Sequence, residues 1–137
     1  MPLAFPPDPG TVVICHFPLA GSVAGAEMVK TRPAIVVSRL LEGRRGLVCV
    51  VPVSMTPPAQ VRRWHVRLPA DAMPRGWADK TGDRWAKCDM LTTVSLDRLS
   101  MRGSARRSGR RRFETGALDG DSMREIRKAL AYILELF

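Results

Sequence analysis

The residues that could do chemistry are few. His16 and His65 are the only histidines, and Cys15, Cys49 and Cys88 are the only thiols. The cysteines are odd in number and far apart, without a CxxC pair or a histidine at ligand spacing, which argues against both a disulfide framework and a zinc site. Cys15 and Cys49 lie in apolar runs and read as small buried hydrophobes. His16 falls in a strand-like run and reads as structural, whereas His65 sits on the polar side of an alternating segment, as either a ligand contact or an ordinary surface histidine. The chain has no P-loop, no GxGxxG after a strand, no GxSxG and no HExxH.

The most informative stretch runs from Gly25 to Ser38, where a Gly-containing loop delivers Glu27 and Arg32 to the mouth of an apolar strand. Pro33 forces Arg32 into an extended conformation, so its guanidinium fork can point into a groove. The elements that would hold these residues are mostly strands. Thr11 to Phe17, Pro33 to Ser38, Leu47 to Val53 and Arg63 to Leu68 read as strands, the last with Trp64, Val66 and Leu68 opposite Arg63, His65 and Arg67. Pro18 to Thr31 reads as a lid-like loop, Leu40 to Gly46 as a hairpin connection, and Pro69 to Asp83 as a turn-rich link. Arg84 to Val94 is expected to be extended, Ser95 to Leu99 a short helical turn, and Phe113 to Leu118 one further strand.

The C-terminal end differs. Ser122 with Glu125 fits a capping box, and Met123, Ile126, Leu130, Ile133, Leu134 and Phe137 follow helical spacing, which predicts a helix over about 121–136. Several strands and one terminal helix predict a mainly β, α+β fold: a small antiparallel barrel closed by that helix.

Composition narrows the setting. The chain has 137 residues and a formal charge of +9, is 45% hydrophobic and 26% charged, and is expected to form one domain over 1–137 with an ordinary core. No apolar run reaches membrane length. Met1 to Pro9 lacks Lys and Arg and contains four prolines, unlike a signal peptide, so a cytoplasmic protein is expected. Six arginines, Arg102, Arg106, Arg107, Arg110, Arg111 and Arg112, fall in one stretch without an acid. That stretch, 102–112, is either an electrostatic attractor for a polyanion, nucleic acid first, or a solvated loop.

Glu27 to Ser38, with Gly10-Thr11-Val12-Val13 before it and Val51-Pro52-Val53-Ser54 after it, resembles the MazF/PemK/Kid toxins of type II toxin-antitoxin systems. Lys87-Cys88-Asp89 is similar to the Arg-Cys-Asp of the Kid branch, and Thr92-Thr93-Val94 with Arg98-Leu99 continues the likeness along nearly the whole chain. The resemblance implies an SH3-like antiparallel barrel that forms a homodimer and cleaves single-stranded RNA at short sequence motifs. It implies no cofactor and no metal, no membrane association, and inhibition by a cognate acidic antitoxin. Cleavage would proceed by attack of the 2′-hydroxyl on the adjacent phosphorus, leaving a 2′,3′-cyclic phosphate and a 5′-hydroxyl.

Carried over position by position, Arg32 matches the family's catalytic arginine and Ser54 its catalytic threonine, while Lys87 and Asp89 fall on the acid and base of the Kid branch. Glu27 matches a glutamate that would hold Arg32. Glu27, Lys30, Thr31, Thr56, Arg63, His65 and Trp77 are the candidates for holding RNA. Trp64 and Trp85 read as packing residues, and Trp77 as a residue that could stack on a base. Two departures stand out: serine replaces threonine at 54 and lysine replaces arginine at 87. The Kid-branch histidine before the glutamate is Ala26 here, and Lys87 and Asp89 could equally pair as structural neighbours on a strand. The same barrel could also serve as a non-catalytic nucleic-acid-binding module or a toxin homologue without turnover.

Overall fold

Val12 to Cys15 and Ala34 to Val36 are buried at every position rather than at alternate ones, because their sheet has apolar layers on both faces. A computed structural model describes residues 7–17, 31–43, 46–74, 82–100, 102–103, 113–114 and 116–136. The strands are β1 (Thr11–His16), β2 (Thr31–Val36), β3 (Leu47–Ser54), β4 (His65–Leu68), β5 (Arg84–Lys87), β6 (Thr92–Ser95), β7 (Leu99–Ser100), β8 (Arg102–Gly103), β9 (Phe113–Glu114) and β10 (Gly116–Ala117). One helix, α1 (Gly120–Ile133), follows them. The main sheet runs β10-β1-β2-β3-β5-β4, with β6 also on β3 and β7 also on β1; β8 and β9 pair separately. All pairings are antiparallel. The result is a curled half-barrel with one C-terminal helix, the mainly β architecture expected from the sequence.

β3 shapes the curl. Its first half, Leu47 to Val50, pairs with β6, and its last residues, Val53 and Ser54, pair with β5. Pro52 lies between these halves, where a residue without an N–H does least harm to a ladder. Val12, Ile35, Val51, Val53, Leu68 and Ala86 face α1, which supplies Met123, Ile126 and Ala129. Val13, Cys15, Ala34, Val36, Val48 and Val50 form the second layer with Val94 and Leu99. Ile126 is fully buried, so removing its side chain would cost about 2–5 kcal/mol. Gly116 is required by close approach: a Cβ there would overlap the Ala72 carbonyl oxygen.

Several expected boundaries change. Arg84 to Val94 is not continuously extended: Cys88–Met90 forms a 3₁₀ turn between β5 and β6. The turn lets Cys88 enter the core while its N–H bonds the Trp64 carbonyl at 3.1 Å. Ser122 is not the helix cap; Asp119 is, its carboxylate accepting from the Ser122 N–H at 2.8 Å. α1 therefore begins earlier than expected and ends at Ile133, leaving Leu134 and Leu136 exposed beyond it. Glu125 closes no capping box and instead meets Lys128 at 3.5 Å. The Phe113 to Leu118 segment contains two short strands in different sheets rather than one. β4 starts at His65, with Arg63 and Trp64 in the turn before it. The short helical turn is present as 3₁₀ residues Leu96–Arg98, capped by the Ser95 hydroxyl. Among the described residues, no helix is long and apolar enough to cross a membrane. The lid-like loop up to Lys30, and the arginine stretch beyond Gly103, lie outside the described residues.

Candidate active site

Strand register assembles the site. β1 and β2 pair with Cys15 opposite Arg32, and β2 and β3 with Ala34 opposite Pro52. That ladder ends at Ala34 and Pro52, two residues short of both Arg32 and Ser54, so both lie at the same end of the β2–β3 pair. Ser54 is in turn opposite Trp85 on β5, and Trp85 opposite Arg67 on β4. Directly opposed residues of antiparallel strands share a face, so Ser54, Trp85 and Arg67 form one row, and the two-residue period puts Arg32 on the face of Ala34 as it puts Ser54 on that of Pro52. Two residues along, Lys87 and His65 oppose each other on the same face.

The first corner of this row is largely dry. Ser54 is only 7% exposed, and its hydroxyl accepts the Thr56 N–H at 3.1 Å and reaches the Thr56 carbonyl at 3.4 Å. This local turn holds the oxygen at the end of β3 and places Thr56, itself exposed, beside it. Arg32 is half-buried, and burial pulls its guanidinium below its ordinary pKa. A cation in such a place interacts more strongly with an incoming anion than it would in water.

The second corner is wetter. Lys87 and His65 are half-buried and Asp89 is exposed. The reading of Lys87 and Asp89 as a pair on one strand does not hold, because Asp89 lies in the 3₁₀ turn and no ion pair joins them among the described residues. His65 accepts the Arg62 backbone N–H at Nδ1, 2.9 Å away. Burial and the charge of Lys87 lower its pKa, Asp89 opposes them, and Arg62 adds to the lowering. Cys88, between Lys87 and Asp89, is buried, and burial pushes its thiol up to about 12. Cys15, opposite Arg32, is likewise pushed up to about 12 by burial, against a smaller pull from Arg98. Both thiols are packing residues. Cys49 is only half-buried and meets the Thr93 hydroxyl at 3.4 Å.

Other candidates fall elsewhere. The Thr31 hydroxyl bonds His16 Nδ1 at 3.1 Å, and His16 Nε2 meets the Ser100 hydroxyl at 3.3 Å, so this exposed histidine ties β1 to strands on both sides. The Arg63 guanidinium lies 5.1 Å from the centre of the Tyr132 ring on α1. Glu27, Lys30 and Trp77 lie outside the described residues. Trp64 packs against the core and stacks on Tyr132, with ring centres 6.3 Å apart. Trp85, read from the sequence as packing alone, shares the Ser54 row, and its buried indole N–H has no acceptor among the described residues. Nothing local in the sequence could have shown this, because strand pairing decides which residues become neighbours. Among the described residues, no group of three His, Cys, Asp or Glu side chains could hold a metal ion.

Known structures share this fold. No curated protein matches the chain. Among solved structures, MazF (Form-I) from Deinococcus radiodurans superposes with a TM-score of 0.64 at 25% identity, covering 96% of this chain and 98% of that one. An endoribonuclease in complex with its cognate antitoxin, from a Mycobacterial species, gives 0.60 at 22% identity, covering 96% and 97%. Another endoribonuclease from a Mycobacterial species gives 0.58 at 20% identity, covering 94% and 91%. Residues 8–134 match the family model for the PemK-like, MazF-like toxin of type II toxin-antitoxin systems. With nearly its whole length matched, from the turn before β1 to the end of α1, this chain belongs to that toxin family.

Proposed function

We propose that the protein is a sequence-selective endoribonuclease toxin that cleaves single-stranded RNA without a metal ion. The observation that carries this reading is the β2–β3 pairing, which brings the half-buried Arg32 and the fixed Ser54 hydroxyl to one end and one face of the sheet in a chain of this family. The endoribonuclease names of the Mycobacterial structures support it.

The reaction needs one base, one acid and a site for charge. The ribose 2′-oxygen forms a bond to the adjacent phosphorus while the bond from phosphorus to the 5′-oxygen breaks, leaving a 2′,3′-cyclic phosphate and a 5′-hydroxyl. Arg32 stabilises the negative oxygens of the five-coordinate phosphorus, and Ser54 donates to one of them. The 2′-hydroxyl proton passes to the Asp89 carboxylate, and the Lys87 ammonium supplies a proton to the leaving 5′-oxygen. Lysine at position 87 lacks the fork of arginine but gives up a proton more readily. Thr31, Thr56, Arg63, His65 and, on the segments outside the described residues, Glu27, Lys30 and Trp77 hold the RNA around this centre. Glu27 would steady Arg32.

The family and the structures solved with antitoxins support a cognate acidic antitoxin as partner, matched to the +9 charge of the chain. We also assign a homodimer and a cytoplasmic location. The test is incubation of the purified protein with mixed-sequence RNA in EDTA, followed by end-group analysis. Cyclic-phosphate ends that disappear in Arg32→Ala are expected. Binding without cleavage across diverse RNAs would leave a non-catalytic binding module and sink the nuclease reading.

A further inference from the structure

β4 is the last strand of the main sheet, and a cavity of 420 Å³ opens between it and α1. That volume lies within the range of small-molecule sites, about 300–1,000 Å³. Arg63, His65 and Arg67 line one side, and Glu125, Lys128 and Tyr132 the other. The cations outnumber the single carboxylate in this lining. Arg67 is committed to Asp83 at 2.6 Å, and Lys128 makes only an exposed contact with Glu125 at 3.5 Å. Arg63 has no carboxylate partner among the described residues; its guanidinium lies over the Tyr132 ring, which also stacks on Trp64 and is 48% exposed.

The histidine is set up as a donor. With Nδ1 accepting the Arg62 N–H, the neutral ring carries its proton on Nε2. Burial and Lys87 favour that neutral form, and the Nε2–H has no acceptor among the described residues. Cations, an exposed aromatic ring and a neutral donor are the three things a single-stranded nucleotide needs: charge for its phosphate, a stacking surface and a hydrogen bond to its base edge. An acidic peptide would use the cations but has no need of the ring. The position also fits. His65 lies on the face of Lys87 and Ser54, opposite to Val66, and at this edge strand the cavity is lined by both His65 and Val66, so it opens round the edge toward that face; β4 is two strands from Ser54, about 10 Å across the sheet.

The geometry points to a nucleotide subsite in this cavity: a base flanking the cleaved phosphate takes the place of the Arg63 guanidinium on the Tyr132 ring and accepts a hydrogen bond from His65, with the displaced Arg63 and Lys128 facing its phosphate. This rests on the endoribonuclease reading and adds to it a site that selects sequence away from the reacting atoms.

A mixed-sequence RNA 2′-O-methylated throughout cannot be cut, so it reports binding alone. Its affinity should fall about tenfold in Tyr132→Ala, since stacking of one base contributes that much or more. His65→Leu should weaken it several-fold, and His65→Gln, which restores an N–H, should recover part of the loss. Lys128→Ala should lower the slope of log affinity against log salt by about one. With ordinary RNA, the Tyr132 and His65 variants should relax base preference at one position beside the cut. Unchanged affinity and preference in both Tyr132→Ala and His65→Leu would overturn the subsite, as would a loss accompanied by a change of oligomeric state in sedimentation, which would assign the face to contact between copies. If the wild type binds but cuts nothing, while these variants still weaken binding, the subsite stands and the nuclease reading falls. If RNA is cut with Arg32 dependence and these variants behave as wild type, the subsite alone falls.

Discussion

The corner built by Arg32 and Ser54 and the corner built by Lys87 and His65 lie on one face of one sheet, with Asp89 on the 3₁₀ turn that follows Lys87, yet water reaches them differently. Ser54 is 7% exposed and locked by its own turn, whereas Asp89 is exposed on a 3₁₀ turn. The difference suits two tasks. A dry corner stabilises developing charge, because a fixed cation and donor act there with little competition from solvent. A wet corner suits proton transfer, because a proton taken up there can pass on to water.

The largest expected effect tests the dry corner. Arg32→Ala should lower kcat for RNA cleavage by about 10²–10³-fold, and Arg32→Lys should restore only part of it because the fork is lost. Affinity for a 2′-O-methylated RNA should change far less. A loss carried by affinity instead would mean that the corner merely binds.

Next comes the wet corner. Asp89→Asn should lower kcat by about 10²-fold with little change in KM, and Lys87→Met should do the same while Lys87→Arg is milder. If both leave kcat intact and raise KM, proton transfer belongs to Arg32 and its neighbours, and the contrast between corners collapses.

Smaller still is Ser54→Ala, with a loss of about tenfold, because one hydrogen bond to a phosphoryl oxygen is removed. Ser54→Thr, which keeps the hydroxyl, should remain near the parent rate. Inactivity of the threonine variant would show that the buried pocket has no room for a methyl group.

The thiols behind the two corners should do nothing. Burial raises Cys15 and Cys88 to about 12, so the reactive thiolate is essentially absent from either at pH 8. In the folded protein iodoacetamide should label Cys49, which is half-buried, and spare the other two, as peptide mass mapping would show. In the unfolded chain the thiols ionise near 9, so stability is full below that pH and is lost as pH rises toward about 12. Labelling of Cys88 at a rate like that of Cys49 would mean that the second corner opens in solution.

Much of the fold can be read from local pattern. The apolar runs around Val12, Ile35 and Val50 appear as strands because a buried sheet needs them, and Ile126 announces a helix facing that sheet. Turns were less legible. Cys88 looks like part of an extended segment, but its burial and its bond to the Trp64 carbonyl turn the chain there. Asp119 rather than Ser122 caps α1, since both have suitable oxygens and only the path of the chain from β10 decides between them.

By itself the sequence determined the residue types available for chemistry: a proline that holds Arg32 extended, a hydroxyl after Val53, a lysine and an aspartate flanking a cysteine, and a surplus of positive charge. Only the tertiary structure decided which of them meet. Arg32 and Ser54 are 22 residues apart in the chain, and a shift of one residue in the pairing of β2 with β3 would send one of them to the opposite face. The placing of His65 beside Lys87, the separation of a dry corner from a wet one, and the cavity between β4 and α1 all come from that pairing and from the packing of α1 against it. Side-chain direction in a strand repeats every two residues, so composition and motif name the groups while register decides the site.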